Sequence, residues 1–291
     1  MAVQPVPLPP ARWPDADTAR EARLFTPVRL GPIEACQRTW VPAMVPWRAT
    51  EDGYVTQANV DWYARFAAGR PGVLVAEATG IRDVPSGPLL RIGHDRFVPG
   101  LTGLVDAVRV ASDGETRFLL QILDFLGIRR RPPPEKFFAR FLEVTEALRE
   151  RIADRSLGSV GADAPEGLIR AWCAAASLDD LETVLDPRDL ASLRYGQRER
   201  VTDLHLPHVR DLPRTLPGLF ADAAVRARDA GFDGVELHFA HASTLASVLS
   251  RTNDREDAYG GSREARVRLA LEVLCSVRER VGDDYCVGAR I

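Results

Sequence analysis

The sequence predicts an α/β fold with parallel strands, and three observations carry that expectation. Short apolar runs alternate with stretches of helical period along most of the chain. Several strand-like runs end in polar side chains, and parallel-stranded enzymes keep their chemistry at the C-terminal ends of strands. With 45% hydrophobic and 27% charged residues over 291 positions, the chain has a globular composition and the length for one large domain or two ordinary ones.

The bulk properties also exclude classes of function. A net charge of −3 gives no electrostatic basis for nucleic-acid binding. No apolar run is long enough to span a bilayer, and the N-terminus lacks the basic-then-apolar profile of a secretory signal, so no membrane partner and a cytoplasmic location are expected. Cys36, Cys173, Cys275 and Cys286 follow no metal-ligand spacing and are expected to be reduced thiols. Residues 1–23 open with a proline-rich stretch and are expected to form an arm ahead of the folded domain.

The elements follow in order. A first strand is expected over 38–44, closing on Pro42-Ala43-Met44, then a helix over 59–69 and a second strand over 72–78. A helix over 101–111 leads to a third strand over 117–123. The helix over 217–230 stops at Gly231, the residue type favoured just past a helix C-terminus, and a fourth strand occupies 233–238. Ser262 caps a long helix with Glu264 in its first turn, where a carboxylate suits the positive end of the dipole. Val267, Ala270, Leu271, Leu274, Val277 and Val281 recur at helical spacing and are expected to face the sheet. A fifth strand covers 285–291. Residues 129–216 form an insertion, with helices expected over 135–153, 168–176 and 178–185 and a turn at Asp186-Pro187.

Side chains alternate along a strand, so Glu236 and His238 share one face, with Val235 and Leu237 on the other. Gly288 and Arg290 likewise oppose Val287, Ala289 and Ile291, and Leu119 shares a face with Gln121. Gln121, His238 and Arg290 therefore fall near the C-terminal ends of three strands, with His241 three residues past His238. Each has a plain alternative: Gln121 as a structural hydrogen-bonder, Arg290 as the partner of a neighbouring acid, the two histidines as metal ligands, although no third ligand completes an obvious set.

These residues carry a family resemblance. Residues 231–241, from Gly231 through Glu236 and His238 to His241, and residues 253–262, from Asn253 through Arg255 and Tyr259 to Ser262, resemble in that order the old yellow enzyme family of FMN-dependent NAD(P)H:flavin oxidoreductases. The likeness extends over 24–291, taking in Leu24-Phe25-Thr26-Pro27, Pro42-Ala43-Met44, Glu77-Ala78-Thr79 and Gln121-Ile122. It implies a (β/α)₈ TIM-barrel fold with the insertion over the barrel mouth, FMN as cofactor, and NADH or NADPH as reductant. Gln121 and Arg290 would then bind the flavin ring, Arg290 offsetting negative charge near N1 and O2, while Pro42, Ala43, Val45 and Ala78 line it. His238 and His241 would hold the carbonyl oxygen of an α,β-unsaturated acceptor, and Arg255 and Tyr259 would brace the loop before the capped helix.

The chain departs from the family at three places. Ala242-Ser243 stands where the family has Gly-Tyr, whose tyrosine delivers a proton; Val45 stands where relatives donate a hydrogen bond to flavin O4; and five strands are expected rather than eight. A sheet of five strands leaves two edges, which admit a homo-oligomer or a complementing chain. The missing strands are explained by a piece of a longer enzyme, a split enzyme completed by a partner, or a degenerate chain, and the rivals to an oxidoreductase are a non-catalytic half-barrel that needs a partner and a metal-dependent barrel lyase using His238 and His241. Arg129-Arg130-Arg131 ahead of three prolines reads as a solvated turn or as a phosphate contact for a CoA-linked acceptor.

Overall fold

A computed structural model describes residues 14–84, 87–128, 131–157, 159–241 and 243–291. It resolves into two compact units, one holding the chain up to Phe125 together with Leu204–Ile291, the other Leu126–Asp203. No helix among the described residues is long and apolar enough to cross a membrane.

The first unit is built on a parallel sheet of five strands in chain order: β3 (Trp40–Val41), β4 (Val73–Gly80), β5 (Arg117–Leu123), β6 (Gly234–His238) and β7 (Cys286–Arg290). Sequential parallel order with helical crossovers is the arrangement of a barrel wall. A preceding hairpin of β1 (Val28–Leu30) and β2 (Ile33–Ala35), with a short helix α1 (Ala16–Glu21) before it, lies outside that sheet. Its side chains Val28, Leu30, Ile33 and Ala35 pack with Val73, Val75 and Leu119 from the N-terminal halves of β4 and β5. The expected first strand over 38–44 shrinks to the Trp40–Val41 pairing, because Pro42 has no N–H to extend the ladder.

Helices α2 (Gln57–Ala67) and α3 (Val98–Ala111) precede β4 and β5, α10 (Leu212–Asp229) precedes β6, and α11 (Thr244–Leu249) and α12 (Arg263–Val281) lie between β6 and β7. The helix expected over 217–230 begins five residues earlier. Its sequence holds Pro213, tolerated in the first turn, and Pro217 inside it, which forgoes one backbone bond without ending the helix. A four-residue turn of helix, α9 (Pro207–Arg210), lies ahead of it. Ser262 caps α12 as expected, accepting from the Ala265 N–H at 3.2 Å. The buried stripe of α12 is Leu269, Ala270, Val273, Val277 and Val281, while Leu271 faces outward at 55% exposure. The expected set is thus rotated about a quarter of a turn, because α12 packs against both α10 and α11 rather than against the sheet alone.

The loop from Asn253 to Ser262 is rigid architecture. Arg255 is buried, pairs with Asp257 and donates to the Val209 carbonyl at 3.1 Å and the Arg210 carbonyl at 3.3 Å. Asn253 ties Val248 to Tyr259 through both their carbonyls, and the Tyr259 hydroxyl reaches Glu272. A side chain at Gly260 would collide with the Arg255 backbone, so this tight turn requires glycine.

The second unit is helical: α4 (Pro134–Arg140), α5 (Glu146–Arg155), α6 (Glu166–Ala175), α7 (Leu178–Val184) and α8 (Pro187–Tyr195) enclose a core of Phe137, Phe138, Leu148, Ile152, Ile169, Leu181, Val184 and Leu193. The single helix expected over 135–153 is two, because Thr145 caps α5 afresh through the Leu148 N–H. The turn at Asp186-Pro187 is a helix start, with Asp186 accepting from the Arg188 and Asp189 N–H groups. Residues 204–216, assigned to the insertion from sequence, group with the first unit. Arg129 and Arg130 lie outside the described residues, as does most of the N-terminal arm.

Candidate functional site

The strand register assembles the site. Gln121 stands opposite Glu236, Glu236 opposite Gly288, and His238 opposite Arg290. Residues level with one another in a parallel ladder share a face, so Gln121, Glu236, His238 and Arg290 project from one side of three adjacent strands toward their C-terminal ends. The Gln121 amide nitrogen donates to Glu236 Oε1 at 2.5 Å, and the amide retains a second N–H and its carbonyl for a ligand. Arg290 is exposed.

The two histidines form one unit. His238 ends β6 and is buried to 5% exposure, while His241 is exposed and sits in the left-handed region at φ 57°. A non-glycine residue there costs energy that the surroundings must supply, and such corners concentrate at functional sites. His241 Nδ1 lies 3.1 Å from His238 Nε2, with ring centroids 5.0 Å apart. The pair is hydrogen-bonded to itself rather than displayed as two separate donors. Burial, then His241 and Arg290, lower the His238 pKa to about 4, so His238 is neutral at physiological pH. A neutral imidazole that engages its neighbour through Nε2 leaves Nδ1 to find a partner, and Nδ1 of His238 is buried with none among the described residues.

On the opposite flank, β4 carries an irregularity between Ala76 and Thr79: three steps on β4 match two on β5. The extra residue turns Glu77 outward, where its carboxyl accepts from Asn59 at 2.9 Å while its own N–H donates to the Tyr63 hydroxyl at 2.6 Å. Ala78 turns inward and packs with Leu123, Leu89 and Val45. Ala43 joins the apolar cluster below, beside Val75 and Leu119. Ala43, Val45 and Ala78 thus share the inward side with the polar set, whereas Pro42 is exposed and belongs to neither cluster. Trp47, just beyond, is 59% exposed with φ 55°.

Ser243 is committed elsewhere. Its hydroxyl donates to the His238 carbonyl at 3.1 Å and accepts from the Ala246 N–H at 3.2 Å as the cap of α11, and the residue is buried. It holds the scaffold and has no proton to offer a ligand. Ala242 lies outside the described residues. Sequence reasoning missed Asp124, Arg82 and Thr244, which join beside this site: Arg82 pairs with Asp124, and the Thr244 hydroxyl donates to the same carboxylate. Among the described residues no group of three or more His, Cys, Asp or Glu is placed to hold a metal ion.

Parallel strands in sequential order, with polar side chains converging at their C-terminal ends, define a protein of the (β/α)₈-barrel class. Residues 215–291 match the NADH:flavin oxidoreductase / NADH oxidase family. Over 272 residues the chain is 29% identical to an NADH oxidase of Thermoanaerobacter brockii, covering 92% of this chain and 33% of that protein. Over 271 residues it is 28% identical to 12-oxophytodienoate reductase 1 of Oryza sativa subsp. japonica, covering 92% and 58%. The old yellow enzyme structure from Trypanosoma cruzi superposes with a TM-score of 0.59 at 25% identity, covering 92% of this chain and 65% of that one. Residues 215–291 thus match the family's model, and over 92% of its length the chain is similar to old yellow enzymes. It spans about a third to three-fifths of the length of these two curated relatives.

Proposed function

We propose that this chain forms the ring-facing and acceptor-facing part of an FMN-dependent oxidoreductase that draws on NADH or NADPH and reduces an α,β-unsaturated carbonyl compound or a related small acceptor. When bound, FMN would supply hydride. The residues present fit its ring: small side chains at Ala43, Ala78 and Gly288 leave room on a face that also bears Gln121, Glu236 and Arg290. Gln121 would hold the ring by hydrogen bonds, and Arg290 would offset charge on it. The orphaned His238 Nδ1 supports a ligand at the histidines, since a buried polar nitrogen without a partner costs about 1–3 kcal/mol.

The carrying observation is the His238–His241 pair, with His238 level with Arg290 on the neighbouring strand. An acceptor oxygen seated at the imidazoles would take the hydrogen bond they now exchange, and its carbonyl would be polarised. Ser243 does not serve as proton donor in this reading, so the proton comes from water or an imidazole. No observation favours a non-catalytic half-barrel.

The test is a titration of the FMN-loaded chain with a para-substituted phenol, watched for a long-wavelength charge-transfer band. The band is expected in the wild type and absent in the double variant His238→Ala, His241→Ala with FMN still bound. A band that survives both substitutions removes the histidines from the site; a chain that retains no FMN after desalting removes the flavin.

A further inference from the structure

We infer that Asp124 is a positioning residue for the histidine pair, acting through Thr244. Asp124 follows directly on β5 and is 2% exposed. Its Oδ1 accepts from Arg82 Nε at 2.5 Å, and its Oδ2 accepts from an Arg82 terminal nitrogen at 2.9 Å and from the Thr244 hydroxyl at 2.6 Å. Its backbone carbonyl accepts from the Thr244 N–H at 2.9 Å. Arg82 also donates to the Phe125 carbonyl at 3.2 Å. One buried carboxylate thus ties together the segments that follow β4, β5 and β6.

The last of these segments carries His241. Its near end is fixed where the Phe239 N–H donates to the Arg290 carbonyl at 2.8 Å. Its far end is fixed at Ser243, which bonds the His238 carbonyl, and at Thr244, which Asp124 holds twice. His241 sits between these anchors in a left-handed conformation that a loose segment would abandon. Asp124 therefore sets where the His241 ring meets His238 without touching a ligand itself. Its pairing with Arg82 keeps a buried charge satisfied, and a satisfied buried network is rigid.

This inference rests on the histidine pair being the acceptor-binding group, and the experiment separates the two. Thr244→Val keeps shape and the backbone bond while removing the hydroxyl; Asp124→Asn keeps shape and removes the charge. In the full chain, long-range nitrogen–proton NMR spectra read the titration and tautomer of both imidazoles with no flavin present, and phenol binding to the FMN-loaded chain is measured separately. Both variants are expected to shift the His238 and His241 ring-nitrogen resonances while the remaining histidines, His94, His205 and His208, stay in place. Phenol affinity should fall about fivefold in Thr244→Val, the scale of one net hydrogen bond. Imidazole spectra of folded Thr244→Val that superimpose on the wild type overturn the inference. A wild type that binds no phenol overturns the acceptor reading and leaves the imidazole measurement to decide the positioning role.

Discussion

The same strands build both ends of the sheet to different ends. At the N-terminal end, Val73, Val75 and Leu119 form an apolar cluster with Ala35 of the β1–β2 hairpin. At the C-terminal end Gln121, two residues past Leu119, stands with His238 of β6 and Arg290 of β7, an unpartnered imidazole nitrogen and a backbone corner at His241. The first end contributes stability through burial, and the second gives some of it up to polar groups, among them the unpartnered His238 Nδ1. The lesson is that strand alternation supplies the face, while position along the strand decides what the face is for.

The comparison is sharpened by substitutions that strike one end only. Leu119→Ala opens a cavity in the floor and is expected to lower stability by about 2–5 kcal/mol in urea melts, leaving the ring-nitrogen titration of His238 in place. A titration that moves with it would mean the ends are not independent.

Glu77 gives the next largest effect. Burial outweighs its hydrogen bonds to Tyr63 and Asn59 and pushes its pKa up to about 8. The folded state holds this proton above the ordinary carboxylate range, so stability present below pH 4.5 is lost as pH rises through about 8. Glu77→Gln should flatten that loss and melt higher than the wild type at pH 9 by about 2 kcal/mol of stability; an unchanged alkaline slope would place the charge elsewhere.

His238 runs the opposite way. With its pKa lowered to about 4, stability is full above the ordinary 6.5 and falls as pH drops toward 4. His238→Gln should remove about 1 kcal/mol of that acid sensitivity, measured as the difference in melting free energy between pH 7 and pH 4.5. An equal acid slope in variant and wild type would refute the lowered value.

Much of the sheet was legible. The strand at Arg117–Leu123 and the Ser262 cap follow from apolar runs and capping chemistry that act within a few residues. The hairpin β1–β2 was not, since three-residue strands are too short to display a period. Pro217 read as the start of its helix, yet α10 runs back to Leu212, with Leu216 and Phe220 buried on either side of that proline. In the site, the histidines and Arg290 could be read because alternation and strand ends locate them. Asp124 could not: its partners Arg82 and Thr244 lie 42 and 120 residues away, and no local pattern announces such a pairing. The mutual His238–His241 bond was also out of reach, as it depends on the left-handed corner at His241.

The irregularity in β4 has a consequence for electrostatics. Under strict alternation Glu77 would follow Val75 into the interior, and Ala78 would meet the helices. One inserted backbone step sends the acid outward and brings the methyl group in. Without that step Glu77 would stand level with Gln121 and bring a second carboxylate to the face that bears Glu236, so the sign of the potential in the bore is governed here by residue count as much as by residue type.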